Sequence, residues 1–239
     1  MIGRNPVRSE INFTVAERSR SVENRRRKSK KQAAMQKQNM TKKILITLSI
    51  IALFASCTKA SGNNSATHDE GVVINGVRWA TRNVDAPGTF AKTPESWGMF
   101  FQWNRKKGWN TIDEEVEDWD SSFPTGTEWY AENDPCPQGW RVPTVDELRS
   151  LQNAGSIWTV QNGVNGRLFG TAPYQIFLPT VGLRCEHTGT LNLSVAGKRG
   201  WYWSSTAYMG AWLLWIDEFS GVDIGFILTG YSVRCVAID

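Results

Sequence analysis

The chain carries few groups from which to build a metal centre: 239 residues include two histidines and four cysteines. His68 lies in a polar stretch and His187 follows Glu186, and neither stands at zinc-ligand spacing from a thiol. A phosphate loop is missing too, because the Gly-rich "GVNGRLFG" of residues 163–170 lacks a Gly-Lys-Ser/Thr ending and reads as turns. The acidic run "DEEVEDWD", Asp113 to Asp120, offers oxygen ligands without the glycine-bearing rhythm of an EF-hand, so it reads as a solvated loop. The apolar run from Ile44 to Ala55 has 12 residues, short of the roughly 20 that a spanning helix needs.

What is present divides into a leader and a domain. Residues 1–39 hold 11 Lys/Arg against three acids and almost no large apolar side chain, so the reading is a disordered basic extension. Next comes "MTKKILITLSIIALFASC": Met40, two lysines, the 12-residue apolar run, then small residues before Cys57. That is the anatomy of an export signal over residues 40–56. Met40 is the expected start, with the basic extension an over-called start or a long n-region; a nucleic-acid arm would have to work ahead of an export signal. Removing residues 1–56 takes away 13 of 27 basic and three of 23 acidic groups, leaving 14 against 20, a net of −6. An acidic remainder gives no footing for nucleic-acid phosphate. Residues 57–71 contain the Ser/Asn/Thr-rich "TKASGNNSATHDE" and read as a flexible tether. A single domain is expected over 72–239.

All 12 tryptophans lie in that domain. "PTVDELRSLQNAG" predicts a helix with Thr144 as N-cap, Glu147 closing a capping box, Val145, Leu148 and Leu151 as its apolar stripe and Gly155 as its stop. A second helix is expected near 127–133. "GVVINGVRWA" predicts a hairpin at Asn75-Gly76, and strands clustered at both ends around a helix give an α+β class. Late in the chain, a strand over 211–217 puts Trp212, Leu214 and Ile216 on one face and Leu213, Trp215 and Asp217 on the other. A following strand over 222–227 splits into Val222, Ile224 and Phe226 against Asp223, Gly225 and Ile227. The uniform faces are expected in the core. The mixed face suits a half-exposed recognition surface, with burial on both sides as the alternative.

Several stretches together, "INGVRWATRNV", "GMFFQWNRKKGW", "DPCPQGWRVPTVDEL", "IFLPTVGLR", "GWYWSSTAY" and "GYSVRCV", resemble the Fibrobacter succinogenes major paralogous domain family over nearly all of 72–239. The resemblance implies a C-type lectin-like fold of the formylglycine-generating-enzyme branch, with short strands, one or two helices and long loops. "LFASC" likewise resembles a bacterial lipobox, with Phe54 where Leu is usual, which implies lipidation at Cys57. Similarity to the variable proteins of diversity-generating retroelements implies exchangeable ligand contacts at Cys185, Glu186, His187, Leu213, Trp215, Asp217, Asp223, Gly225 and Ile227. Formylglycine-generating enzymes use paired cysteines late in the chain, and here Cys235 has no second cysteine within 40 residues, so no catalytic residue or cofactor is expected. The Glu-Pro-Asn calcium motif of lectins is absent as well. Cys136 and Cys235 are expected to form a disulfide, leaving Cys185 free as a contact residue, an intermolecular bridge or an incidental thiol.

The function expected from these readings is a lipid-anchored protein of the cell envelope, held at the outer membrane. It would take a protein or carbohydrate ligand through its C-terminal sheet and the 184–187 loop. Leu213, Trp215 and Ile227 would give apolar contact and Arg184, Glu186, Asp217 and Asp223 polar selectivity. An envelope enzyme and a structural component of surface fibres are the alternatives.

Overall fold

The computed structural model describes residues 66–238. The expected basic extension, the expected signal run, the expected lipidation site Cys57 and the first part of the expected tether lie outside the described residues. The described residues include some ahead of the expected domain boundary at 72. Residues 66–71 are held down because Asp69 accepts from the Gly71 and Thr81 N–H groups at 2.9 and 3.1 Å and from Arg82 Nε at 3.1 Å, while Phe90 N–H donates to the Ala66 carbonyl.

Among the described residues one α-helix and several small antiparallel sheets alternate, the α+β arrangement expected from the sequence. The helix, Val145–Asn153 (α1), starts where the local chemistry dictates: Thr144 Oγ1 accepts from the Glu147 N–H and the Glu147 carboxylate accepts from the Thr144 N–H at 2.7 Å. Its buried stripe is Val145, Leu148 and Leu151. The hairpin of Val72–Ile74 (β1) and Val77–Trp79 (β2) turns at Asn75 and Gly76, whose φ values of 49° and 84° are what a type I′ turn requires. These strands join Val236–Ala237 (β12) and Trp140–Arg141 (β5) in a four-stranded sheet, order β1-β2-β12-β5. A disulfide from Cys136 to Cys235 fastens this region, closing a sequence separation of 99 residues.

Two sequence expectations are corrected here. The second helix shrinks to a 3-10 turn at 131–133, because Glu128 is bridged to Thr206 in extended geometry and Pro135 and Pro137 follow at once. The 163–170 stretch turns only at Asn162 and Gly163, then runs as strand Val164–Thr171 (β7) between Ser156–Gln161 (β6) and Tyr174–Pro179 (β8). Its glycines have a packing reason: a Cβ at Gly166 would fall 2.3 Å from the Leu178 carbonyl oxygen.

The sheet that carries most of the expected contact residues is Ser220–Gly225 (β11), Ala211–Ile216 (β10) and Gly200–Ala207 (β9), in the order β11-β10-β9. Backbone hydrogen bonds continue it sideways: Trp203 N–H donates to Ser232 and Ser232 N–H to Trp201, while Tyr231 exchanges bonds with Phe101 of the short strand Phe100–Phe101 (β3), which pairs with Gly108–Trp109 (β4). Both faces of this sheet are covered. Tyr202, Leu214 and Ile216 pack with α1, Trp79 and Phe169 on one side, and Trp203 and Leu213 pack with Phe101, Trp103, Trp129 and Val233 on the other. Each buried aliphatic side chain contributes on the order of 1.5–3 kcal/mol. The expected uniform core face is therefore only partly core: Val222 packs inside, but Ile224 and Phe226 stay 43% and 44% exposed, because β11 has a strand neighbour on one side only.

Candidate functional site

The face of β9–β10–β11 that carries Trp215 is built in cross-strand rows. Leu213 stands opposite Asp223 on β11 and Trp203 on β9; Trp215 stands opposite Gly221 and Trp201. The rows differ in what lies over them. Tyr231, from the segment beside β9, meets Trp203 at a ring separation of 4.6 Å and stacks on Trp201 at 5.8 Å with 24° between planes. The Leu213 row is thereby sealed, and Leu213 is 3% exposed. One row further on the cover ends, so that Trp201 and Trp215 are half-buried and line an open hollow of about 220 Å³ together with Arg199, Ile216 and Asp217. Arg199 Nε and Asp217 Oδ2 form an ion pair at 3.3 Å on its rim. Asp217 is set by its own turn, its Oδ1 accepting from Phe219 N–H at 2.8 Å and its carbonyl from Arg167 at 3.2 Å.

Beyond Tyr231 the 185–187 loop begins. The His187 ring meets Phe226 edge-on at 6.2 Å, and Phe226 meets Phe123 at 6.1 Å, giving an exposed aromatic group beside the Glu186 carboxylate. Burial pushes the Tyr231 hydroxyl up to about 12; a hydrogen bond with Thr229 opposes the rise and the nearby Glu186 adds to it. Burial, with Glu186 beside it, also raises Cys185, so its thiol is not poised as a thiolate.

The other expected contact residues thus separate. Trp215 and Asp217 meet at the hollow; Glu186 and His187 meet at the loop; Asp223 is exposed on the edge strand. Ile227 is half-buried against the core cluster, as Trp215 is, and its carbonyl accepts from Trp103 N–H. Three expectations are corrected. Leu213 is core. Gly225 is a packing position, since a Cβ there would fall 2.3 Å from Leu213 Cδ2. Arg184 is wholly buried, and instead of facing a ligand it donates to the carbonyls of Asn110 at 2.7 and 2.9 Å, Asp113 at 2.6 Å and Gly189 at 2.6 Å. Burial pulls its pKa down, with Asp113 opposing, and its role is to fasten the acidic loop. Trp119 of that loop completes the fastening by donating Nε1–H to the Glu186 carbonyl at 2.8 Å. The acidic run read as a solvated loop is anchored at these points.

Two members of the hollow, Arg199 and Trp201, escaped the sequence reading. The alternation in "GWYWSS" puts Trp201 and Trp203 on one face, but only the register shows that Trp201 stands opposite Trp215 and Trp203 opposite Leu213. A larger hollow of about 610 Å³ lies beside the disulfide, next to Asp134, Trp140 and Arg141. Two of its charged groups already have partners: both Asp134 oxygens accept backbone N–H groups, of Cys136 at 2.8 Å and Val142 at 3.0 Å, and Arg141 is doubly bonded to Glu147. The hollow at Trp215 keeps free donors, since among the described residues the terminal nitrogens of Arg199 have no hydrogen-bond partner. Set against family models, curated proteins and solved structures, the chain matches none.

Proposed function

We propose that this protein is a ligand-binding protein of the cell envelope, anchored through lipid on Cys57, whose C-type lectin-like domain takes a cell-surface ligand on the open end of the β9–β10–β11 sheet. The observation that carries this reading is the half-open Trp201–Trp215 row, with an ion pair on its rim, in a domain that buries Trp79, Trp103 and Trp203 completely. Large aromatic surface left beside ordered charge is the composition of binding hot spots. Asp223 on the same face and Glu186 with His187 beyond Tyr231 extend the contact surface. The disulfide occupies Cys235, the single cysteine standing where the enzymes have their pair, which favours binding over thiol chemistry.

The test uses the full chain in detergent and intact cells as the target. Trp215→Ala and Asp223→Ala are expected to abolish cell capture while lowering the melting temperature by no more than about 4 °C, the equivalent of roughly 1 kcal/mol. Leu213→Ala is expected to do the reverse and destabilise first. Capture unchanged in both surface variants would overturn the reading. For the anchor, Cys57→Ser is expected to move the exported protein from the membrane to the soluble fraction.

A further inference from the structure

We propose that the hollow between Trp201 and Trp215 is a subsite for one pyranose ring of a glycan; this rests on the sheet end being the recognition surface.

Size is the first argument. About 220 Å³ is below the ~300–1,000 Å³ of pockets that enclose a drug-sized molecule, so the hollow takes one ring-sized unit of a longer ligand and leaves the rest outside.

Shape and chemistry are the second. Trp201 and Trp215 are direct cross-strand partners, and the Trp215 ring leans over Gly221, where any Cβ would fall 2.7 to 2.8 Å from the indole. The absence of a side chain at 221 therefore lets the ring lie where it does, at little entropic cost on binding. A pyranose presents one face of polarised C–H groups, which the negative face of an indole attracts, and a perimeter of hydroxyls that each donate and accept. The rim supplies both partners. Arg199, whose side chain is 57% exposed, has its Nε held by Asp217 and its terminal N–H groups free among the described residues; Asp217 is held in turn by Phe219 N–H and by Arg167. An ion pair with spare donors and acceptors is matched by vicinal hydroxyls.

A peptide side chain is the weaker occupant. An aliphatic or aromatic group would fill the space between the indoles but make no use of the Arg199 donors or the Asp217 carboxylate, forgoing the polar contacts that fix a ligand's orientation. A flat protein interface needs about 800 Å² from each partner with a continuous apolar centre, whereas Arg199 and Asp217 put charge on the rim of this hollow.

The test titrates the full chain in detergent with tetrasaccharides of glucose, of N-acetylglucosamine, of mannose and of galacturonate, read by saturation-transfer NMR and tryptophan fluorescence. At least one is expected to bind. Trp215→Ala, Trp201→Ala and Arg199→Ala should each weaken it by about tenfold or more, while Phe123→Ser, beyond Tyr231, leaves the affinity within about twofold. A galacturonate preference would make the Arg199 partner a carboxylate, and a neutral preference would make it hydroxyls; either supports the subsite. Failure of all four to bind at about 10 mM, or binding that survives Trp215→Ala, overturns it. Cell capture separates the two levels: capture that Trp215→Ala abolishes but none of the sugars competes would retain the recognition surface and sink the glycan, whereas capture indifferent to Trp215→Ala would sink both.

Discussion

Gly225 decides whether the mixed face of the hairpin is one surface or two. The residue lies on β11 opposite Ala211, and a Cβ placed on it falls 2.3 Å from Leu213 Cδ2, 3.1 Å from the Tyr231 ring and 3.3 Å from the Trp203 ring. Its φ is not in the left-handed region, so alanine there is conformationally permitted and the cost is steric. Overpacking of this kind costs about 1–3 kcal/mol, offset by the 0.4–1 kcal/mol or so gained when alanine restricts the unfolded chain. Gly225→Ala is therefore expected to destabilise by about 1–2 kcal/mol. Leu213→Ala, which removes the methyl that the new Cβ meets, should cost about 2–5 kcal/mol alone. Combined, the two should cost at least about 1 kcal/mol less than their sum, because the added carbon fills space that the leucine vacated. Equilibrium urea unfolding of the full chain and the three variants measures each value from the midpoint at constant slope. Two results would refute the reasoning: Gly225→Ala within about 0.5 kcal/mol of wild type, or additivity within the same margin. Either would mean that position 225 is open and that the sheet end is wider than the Trp201–Trp215 row.

Arg184→Met keeps the bulk of the side chain and removes its donors from three backbone carbonyl sites; a loss of roughly 3 kcal/mol is expected, with limited proteolysis showing new cleavage between 110 and 120 and no effect on the tryptophan hollow. Replacing Cys136 and Cys235 together by alanine releases the 99-residue closure, which chain entropy values at up to ~4.7 kcal/mol, and should lower the melting temperature by on the order of 10–20 °C. Glu147 gives a pH signature. Burial tends to raise its pKa, but the Arg141 hydrogen bonds and the Thr144 N–H outweigh burial and hold it below 4.5. A depressed carboxylate stabilises the fold above its unfolded pKa, and that contribution is lost as pH falls through the folded value. The urea midpoint of wild type should accordingly fall more steeply below pH 4.5 than that of Glu147→Gln, and parallel curves would show that the helix cap carries none of the acid sensitivity.

The features legible in the sequence are those whose causes are local or countable. Thr144 and Glu147 meet across one helical turn, and Asn75 and Gly76 supply adjacent positive φ values, so the helix start and the first hairpin need no knowledge of the rest of the chain. Counting alone left three pairings open among Cys136, Cys185 and Cys235, and the expected one, Cys136–Cys235, is the one formed. Burial is a different kind of fact. Alternation correctly groups Leu213 and Trp215 with Asp223 and Gly225, but which of them is covered depends on Tyr231, Trp103 and Phe101, which arrive from remote segments. Arg184 shows the same limit more sharply, for nothing in "LRCEHTG" signals that carbonyls of residues 110, 113 and 189 surround its guanidinium.

The placement of the site follows from where a covering layer stops. In this domain Phe101, Trp103 and Trp129 share the layer over β9–β10 with the chain after residue 227, which reaches the sheet at Tyr231 and pairs beside β9 at Ser232. Tyr231 closes the rows of Ala211 and Leu213 and reaches Trp201 only by stacking, so the next row is left half-covered. Leaving that row apolar and uncharged would expose a sticky sheet end; the Asp217 turn and Arg199 bring fixed charge to its rim instead. Two half-open indoles thus stand packed on their inner side with an ordered ion pair at their rim. On the proposed reading such an arrangement has already met much of the ordering cost of binding, and for that reason the Trp215 row, and not the apolar run as a whole, is where a ligand would gain most.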